Sequence, residues 1–137
     1  MSPKSQEKKF PRNYAKELYR IAQGDLDSAR TLSKSKTGRP ENACFHAHQS
    51  VEKALKALLV ALSQPVPLVH DLGILVAKIP SNRNPPFGYE LSSLNDYSTV
   101  RRYEEGKMIL EQTEIEKIVS IATEVITWVG PIVGRTD

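Results

Sequence analysis

Cysteine is nearly missing from this sequence of 137 residues: Cys44 is the only one. With no second thiol in the chain, a disulfide-stapled extracellular scaffold is excluded. Long apolar runs are missing too, and nothing approaches the roughly 20 residues that a helix needs to cross a bilayer. The first eleven residues, Met1 to Pro11, are Lys-rich without the apolar core of a secretory signal. Together these absences point to a soluble protein in the reducing cytoplasm. Strand signals are almost absent; the proline-interrupted Pro65–Val69 reads as a loop. No internal repeat or low-complexity segment stands out.

Charge of one sign is scarce once it is located. The formal net charge is +3, and residues 1–12 account for it through Lys4, Lys8, Lys9 and Arg12 against Glu7. The body beyond is balanced. The sequence therefore divides into a basic, flexible arm over 1–12 and a single domain over 13–137. Such an arm raises phosphate affinity non-specifically or simply keeps the chain in solution.

What is present is helical periodicity. A first helix is expected over Tyr14–Lys34, with Ala15, Leu18, Ala22, Leu26, Ala29 and Leu32 as one stripe. Gly24 inside it costs about 1 kcal/mol relative to Ala, which suggests a bent or closely packed turn. Gly38 and Pro40 then separate it from a second helix, Pro40 to Leu62. There Cys44, Ala47, Val51, Leu55, Leu58, Leu59 and Leu62 give a wide apolar face, and Pro65 and Pro67 forbid continuation. A short helix is expected over Asp71–Ile79 and a fourth over Glu90–Arg102, anchored by Leu91, Leu94 and Tyr97. A fifth opens near Thr113, where Thr-Glu-Ile-Glu has capping-box spacing, and stops at Gly130-Pro131. The fold class is all-α: an up-and-down bundle of four to five antiparallel helices.

Candidate chemistry is sparse. Gln49, Glu52, Lys53 and Lys56 stand at offsets 0, 3, 4 and 7 on one side of the second helix. Glu52 and Lys56 form an i,i+4 pair in the favourable order, worth about 0.3 kcal/mol on a solvated face. His46 and His48 point to nearly opposite sides of that helix and cannot chelate one metal together. No His, Cys and carboxylate spacing resembles a metal site, and Cys44 on the apolar stripe reads as a small core residue. His70-Asp71 before a helix reads as an N-cap with a neighbouring imidazole. Arg101, Arg102 and Tyr103 can grip a phosphate and stack a base, or simply close a helix C-terminus with cations. No phosphate-cradling glycine loop, Gly-x-Ser-x-Gly turn or HExxH pair is present, so neither a metal nor a cofactor is expected.

Taken in order, these residues resemble a known family. Asp25-Leu26 with Ala29, the run Ala43-Cys44-Phe45-His46-Ala47-His48-Gln49-Ser50-Val51-Glu52-Lys53-Ala54-Leu55-Lys56-Ala57-Leu58-Leu59, His70-Asp71-Leu72 with Leu75, and Tyr97 with Arg102-Tyr103 look like the HEPN domain (higher eukaryotes and prokaryotes nucleotide-binding) over about residues 14 to 130. The resemblance implies a helical bundle that dimerises and presents a polar groove for nucleotide or RNA. It also implies a partner, a minimal nucleotidyltransferase encoded beside it in a toxin–antitoxin-like module. Gln49, Glu52, Lys53, Lys56, Arg101, Arg102 and Tyr103 are the binding candidates.

One branch of the family cleaves RNA without metal, through an Arg and a His with four to six residues between them, on the later helices. No histidine follows Arg102 here, and Glu104 stands where many relatives have proline after Arg-Tyr. Arg39 and His46 fit the spacing but straddle the start of the second helix. The expectation is a non-catalytic binding protein. The alternatives are an RNA-cleaving toxin using Arg39, His46 or His70, and a bundle that only associates with itself or another protein.

Overall fold

The computed structural model describes residues 6–98 and 110–134. The elements run β1 (Glu7–Lys8), α1 (Tyr14–Lys34), α2 (Pro40–Ala61), β2 (Val66–Pro67), α3 (Leu72–Ala77), a 3₁₀ helix (Gly88–Tyr97) and α4 (Gln112–Val133). The three long helices pack against one another, and α3 with the 3₁₀ helix closes one side of α2. The result is an all-α bundle with one two-residue β pairing at its edge.

The amphipathic stripes explain this packing. From α1 the residues Ala15, Leu18, Ala22, Leu26 and Ala29 are buried, and from α4 Ile115, Ile118, Ala122, Val125, Ile126 and Val129. Between them lies α2, buried on more than one face because it has neighbours on several sides: Cys44, Ala47, Val51, Leu55, Leu58 and Leu59 are inaccessible to solvent, and so are Ala43, Ala54 and Ala57. The small residues let the flanking helices come close, while the leucines fill the centre. The turn between α1 and α2 is short, with Gly38 at φ +84°, a conformation glycine adopts without strain.

Several boundaries differ from the periodicity. The helix expected over Glu90–Arg102 is a 3₁₀ helix over Gly88–Tyr97 that ends at the C-cap Ser98, and residues 99–102 lie outside the described residues. Its buried anchors Leu91, Leu94 and Tyr97 recur every three residues, which is the 3₁₀ repeat and not the α repeat. Gly130-Pro131 does not end the last helix. Pro131 sits inside α4, which continues to Val133. Glu111, not Thr113, is the N-cap, and no side chain caps it; Gln112 instead donates to the Ser33 carbonyl at 2.8 Å, tying this end to α1. Gly24 is neither crowded nor near a neighbour, since a Cβ there would meet nothing within 4 Å.

The amino-terminal arm differs as well. Glu7 and Lys8 pair antiparallel with Pro67 and Val66, and the amide of Leu68 donates to the Gln6 carbonyl at 2.8 Å. Residues 66–67, expected in a loop, are therefore strand β2, and Pro67 is tolerated there because the two-residue sheet is all edge.

Candidate functional site

The polar side of α2 is organised around a carboxylate that solvent does not reach. Glu52 is 0% exposed. One oxygen, Oε1, accepts from His70 Nδ1 at 2.8 Å, and the other, Oε2, accepts from Lys56 Nζ at 3.0 Å and Lys53 Nζ at 3.1 Å. Burial alone would raise its pKa. The His70 hydrogen bond and the two lysine charges outweigh that and hold the carboxyl below the usual carboxylate value. The expected Glu52–Lys56 pair is thus present, but as a buried hub and not on a solvated face, because the segment carrying His70 folds back over this side of α2.

A chain of hydrogen bonds runs on from the hub. Lys53 Nζ also reaches Gln49 Oε1 at 3.4 Å, and Gln49 Nε2 faces His48 Nδ1 at 3.4 Å. His48, fully buried, points Nε2 at Asn95 Oδ1, again 3.4 Å away. Asn95 Oδ1 accepts the Leu72 amide at 3.0 Å, and its Nδ2 donates to Asp71 Oδ1 at 3.0 Å. With the proton on Nε2, His48 donates to Asn95 and accepts from Gln49. Burial lowers the pKa of His48, only partly opposed by Glu52, Asn95 and the His70 backbone, so the ring is held neutral. Asp71 caps α3 by accepting the Gly73 amide at 2.9 Å, the role its position suggests.

The motif Gln-x-x-Glu-Lys-x-x-Lys therefore pins the His70–Asp71 corner and the 3₁₀ helix to α2. It also leaves donors outward. The Lys56 and Lys53 side chains are 14% and 25% exposed, and that of His70 is 76% exposed. Each ammonium has three N–H groups and spends one or two of them on the described residues. With Nδ1 on Glu52, the Nε2 of His70 is directed away from the hub.

The remaining candidates are dispersed. His46 Nδ1 meets Asp25 Oδ1 at 3.2 Å, linking α2 to α1. Arg39, at the N-cap of α2, puts Nε on Glu41 Oε1 at 2.6 Å. Cys44 is buried in the core, as its stripe position requires, and burial pushes its thiol up to about 12. Arg101, Arg102 and Tyr103 lie outside the described residues. Among the described residues no three His, Cys, Asp or Glu side chains gather to hold a metal ion, and no helix is long and apolar enough to cross a membrane.

The buried Glu of the Gln-x-x-Glu-Lys-x-x-Lys helix and the His of the His-Asp-Leu corner, bonded to each other, are residues on which the likeness to the HEPN domain rests. The HEPN domain matches residues 15–132. The chain belongs to the HEPN domain family. A solved structure similar to this HEPN protein is that of TT1696 from Thermus thermophilus, 26% identical with a TM-score of 0.72, the alignment covering 88% of this chain and 98% of that one. No curated protein matches.

Sequence reasoning finds the hub residues but misses two members of the network, His48 and Asn95. A signal for His48 is there: it shares the stripe of Cys44, Val51 and Leu55 at steps of three and four, so it has to be buried and needs a polar partner. Asn95 carries no such sign, because its role depends on the 3₁₀ helix meeting the α3 cap.

Proposed function

We propose that this HEPN protein binds nucleotide or RNA without cleaving it. In this reading it acts as a homodimer with a minimal nucleotidyltransferase partner in a toxin–antitoxin-like module. The observation that carries the proposal is the pair of ammonium groups, Lys53 and Lys56, gathered on one buried carboxylate, with N–H donors that the described residues leave unused. A fixed pair of cations meets phosphate oxygens with less loss of side-chain freedom than two loose lysines. Gln49 and Glu52 position the lysines; Arg101, Arg102 and Tyr103 are the further contacts the family resemblance suggests, supplying forked donors and a stacking face.

Binding of labelled ATP, GTP and a short single-stranded RNA tests this. The double substitution Lys56→Ala with Arg102→Ala should weaken affinity about 100-fold, as expected for losing two charge-assisted contacts of about 1.5 kcal/mol each. Binding of the unaltered protein should weaken as salt rises. Full affinity in the folded double variant rejects the proposal. Lys53→Ala, which leaves the hub its Lys56 and His70 bonds, is the milder companion variant.

A second reading is favoured by one observation: a buried carboxylate orients an exposed imidazole, Glu52 Oε1 to His70 Nδ1. That arrangement suits a general base or acid, and an RNA-cleaving activity would use it. Incubating the protein with total RNA in EDTA decides the point. Cleavage lost in His70→Ala supports an RNA-cleaving enzyme; cleavage lost in His46→Ala moves the chemistry to the Asp25 pair; no cleavage leaves the binding reading.

A further inference from the structure

The segment that precedes α1 falls outside the family match, which starts at residue 15, yet it is fastened to the body at three points. Phe10 stacks on Tyr14 with centroids 5.0 Å apart and 27° between planes, and both rings pack against the core. Upstream of that anchor, Glu7 and Lys8 pair with Pro67 and Val66, and the Gln6 carbonyl takes the Leu68 amide. Glu7 also closes an ion pair with Lys78 at 3.0 Å. The partner strand belongs to the same segment as His70: about four residues, at most about 14 Å of chain, separate Val66 from the imidazole on Glu52.

The fastening sorts the charges. Glu7 is the only acid in residues 1–12, and Lys78 neutralises it. Successive strand side chains point to opposite faces, so Lys8 projects away from Glu7 and lays its ammonium 5.0 Å from the Phe10 centroid. Lys8, Lys9 and Arg12 are exposed and have no carboxylate partner among the described residues. A free tail spreads its charge over many directions. A strapped one holds it at a set place beside the segment that ends at the lysine hub.

We propose that the strapped arm extends the lysine hub into a surface that follows successive phosphates, so that the ligand is an RNA strand and not a free nucleotide, with Lys8 and Lys9 as determinants of that preference. This rests on the binding reading given under Proposed function. A nucleotide held at Lys53 and Lys56 needs nothing from the arm, whereas a strand leaving that point meets it.

The test is made on the full chain, with a short labelled single-stranded RNA and labelled ATP as separate probes. Lys8 and Lys9 are changed together to Gln, which leaves the β1 backbone pairing intact; circular dichroism confirms the fold. At about 0.7 counterions per phosphate contact on a single strand, the slope of log affinity against log salt should fall by about 1.4. The loss in RNA affinity, nil near 1 M salt, should grow to about 25-fold near 0.1 M, while ATP affinity stays unchanged. Unaltered RNA binding in that variant, with binding lost in Lys53→Ala/Lys56→Ala, overturns the inference and leaves the binding reading standing. Equal losses for RNA and ATP also overturn it. If the unaltered protein binds neither probe, both the reading and the inference fall together.

Discussion

Cys44 shows how far a single residue's behaviour follows from its surroundings. It is inaccessible to solvent in the middle of the α1–α2–α4 core, and burial, with Glu114 and Glu41 adding their negative charges, pushes its thiol to about 12. Only the thiolate attacks, so the native protein should not react with a thiol reagent at neutral pH. Denaturant should release one equivalent per chain, and the rate of labelling should report opening of the fold. Prompt labelling of the native protein would show that the core is looser than its packing implies. This residue is legible in the sequence because a stripe position and a small apolar side chain agree. Glu52 is legible only in part. Its i,i+4 spacing to Lys56 is a local fact, but its burial comes from His70, eighteen residues later, and helical spacing says nothing of a segment that folds over from outside.

At the scale of the element, α1 and α2 follow from periodicity and punctuation, since a long stripe bounded by Gly38, Pro40 and Pro65 leaves few other solutions. The 3₁₀ helix is harder to read because three anchors at intervals of three fit either repeat loosely, and only the strict threefold spacing separates them. In α4, Pro131 is a weaker stop than its residue type suggests. Proline forbids one hydrogen bond and crowds the preceding turn, but near a carboxyl end, with few turns left to disrupt, the helix carries on to Val133. The turn before it is held from α1, where Tyr19 Oη donates to the Ile126 carbonyl at 3.1 Å. A Cβ on Gly130 would stand 2.7 Å from that hydroxyl, so Gly24 and Gly130, both inside helices, predict opposite outcomes. Gly24→Ala, into open space, should stabilise the protein by about 1 kcal/mol. Gly130→Ala should destabilise it by about 1 kcal/mol, as displacement of Tyr19 and loss of its hydrogen bond exceed the gain in helix propensity. In a Tyr19→Phe background the Gly130→Ala cost should shrink by at least about 0.5 kcal/mol, measurable as a coupling in urea unfolding. Additivity of the two would place the cost of alanine elsewhere.

For the molecule as a whole, the same network that presents the lysines also joins α2, α3 and the 3₁₀ helix, so global stability should register its protonation. Two groups act, and in the same direction. Glu52 has a folded pKa below its ordinary value, so its contribution is complete above about pH 4.3 and is lost as pH falls through the lower folded value. His48 is buried neutral with its pKa lowered, so below about pH 6.5 the unfolded chain takes up a proton that the folded chain refuses, and stability falls again as pH drops. Unfolding free energy should therefore decline in two stages between neutral and acid pH. His48→Gln should flatten the upper stage, because glutamine supplies an amide without a titrating proton. Glu52→Gln should flatten the lower stage and, at pH 7, lower stability by about 3 kcal/mol, since it leaves two half-buried ammonium groups facing a buried neutral amide. The lysine edge loses its organiser in that variant. Weaker RNA binding by folded Glu52→Gln protein would then tie the stability of the corner to the function proposed for it. Full binding would separate the two and assign the hub to architecture alone.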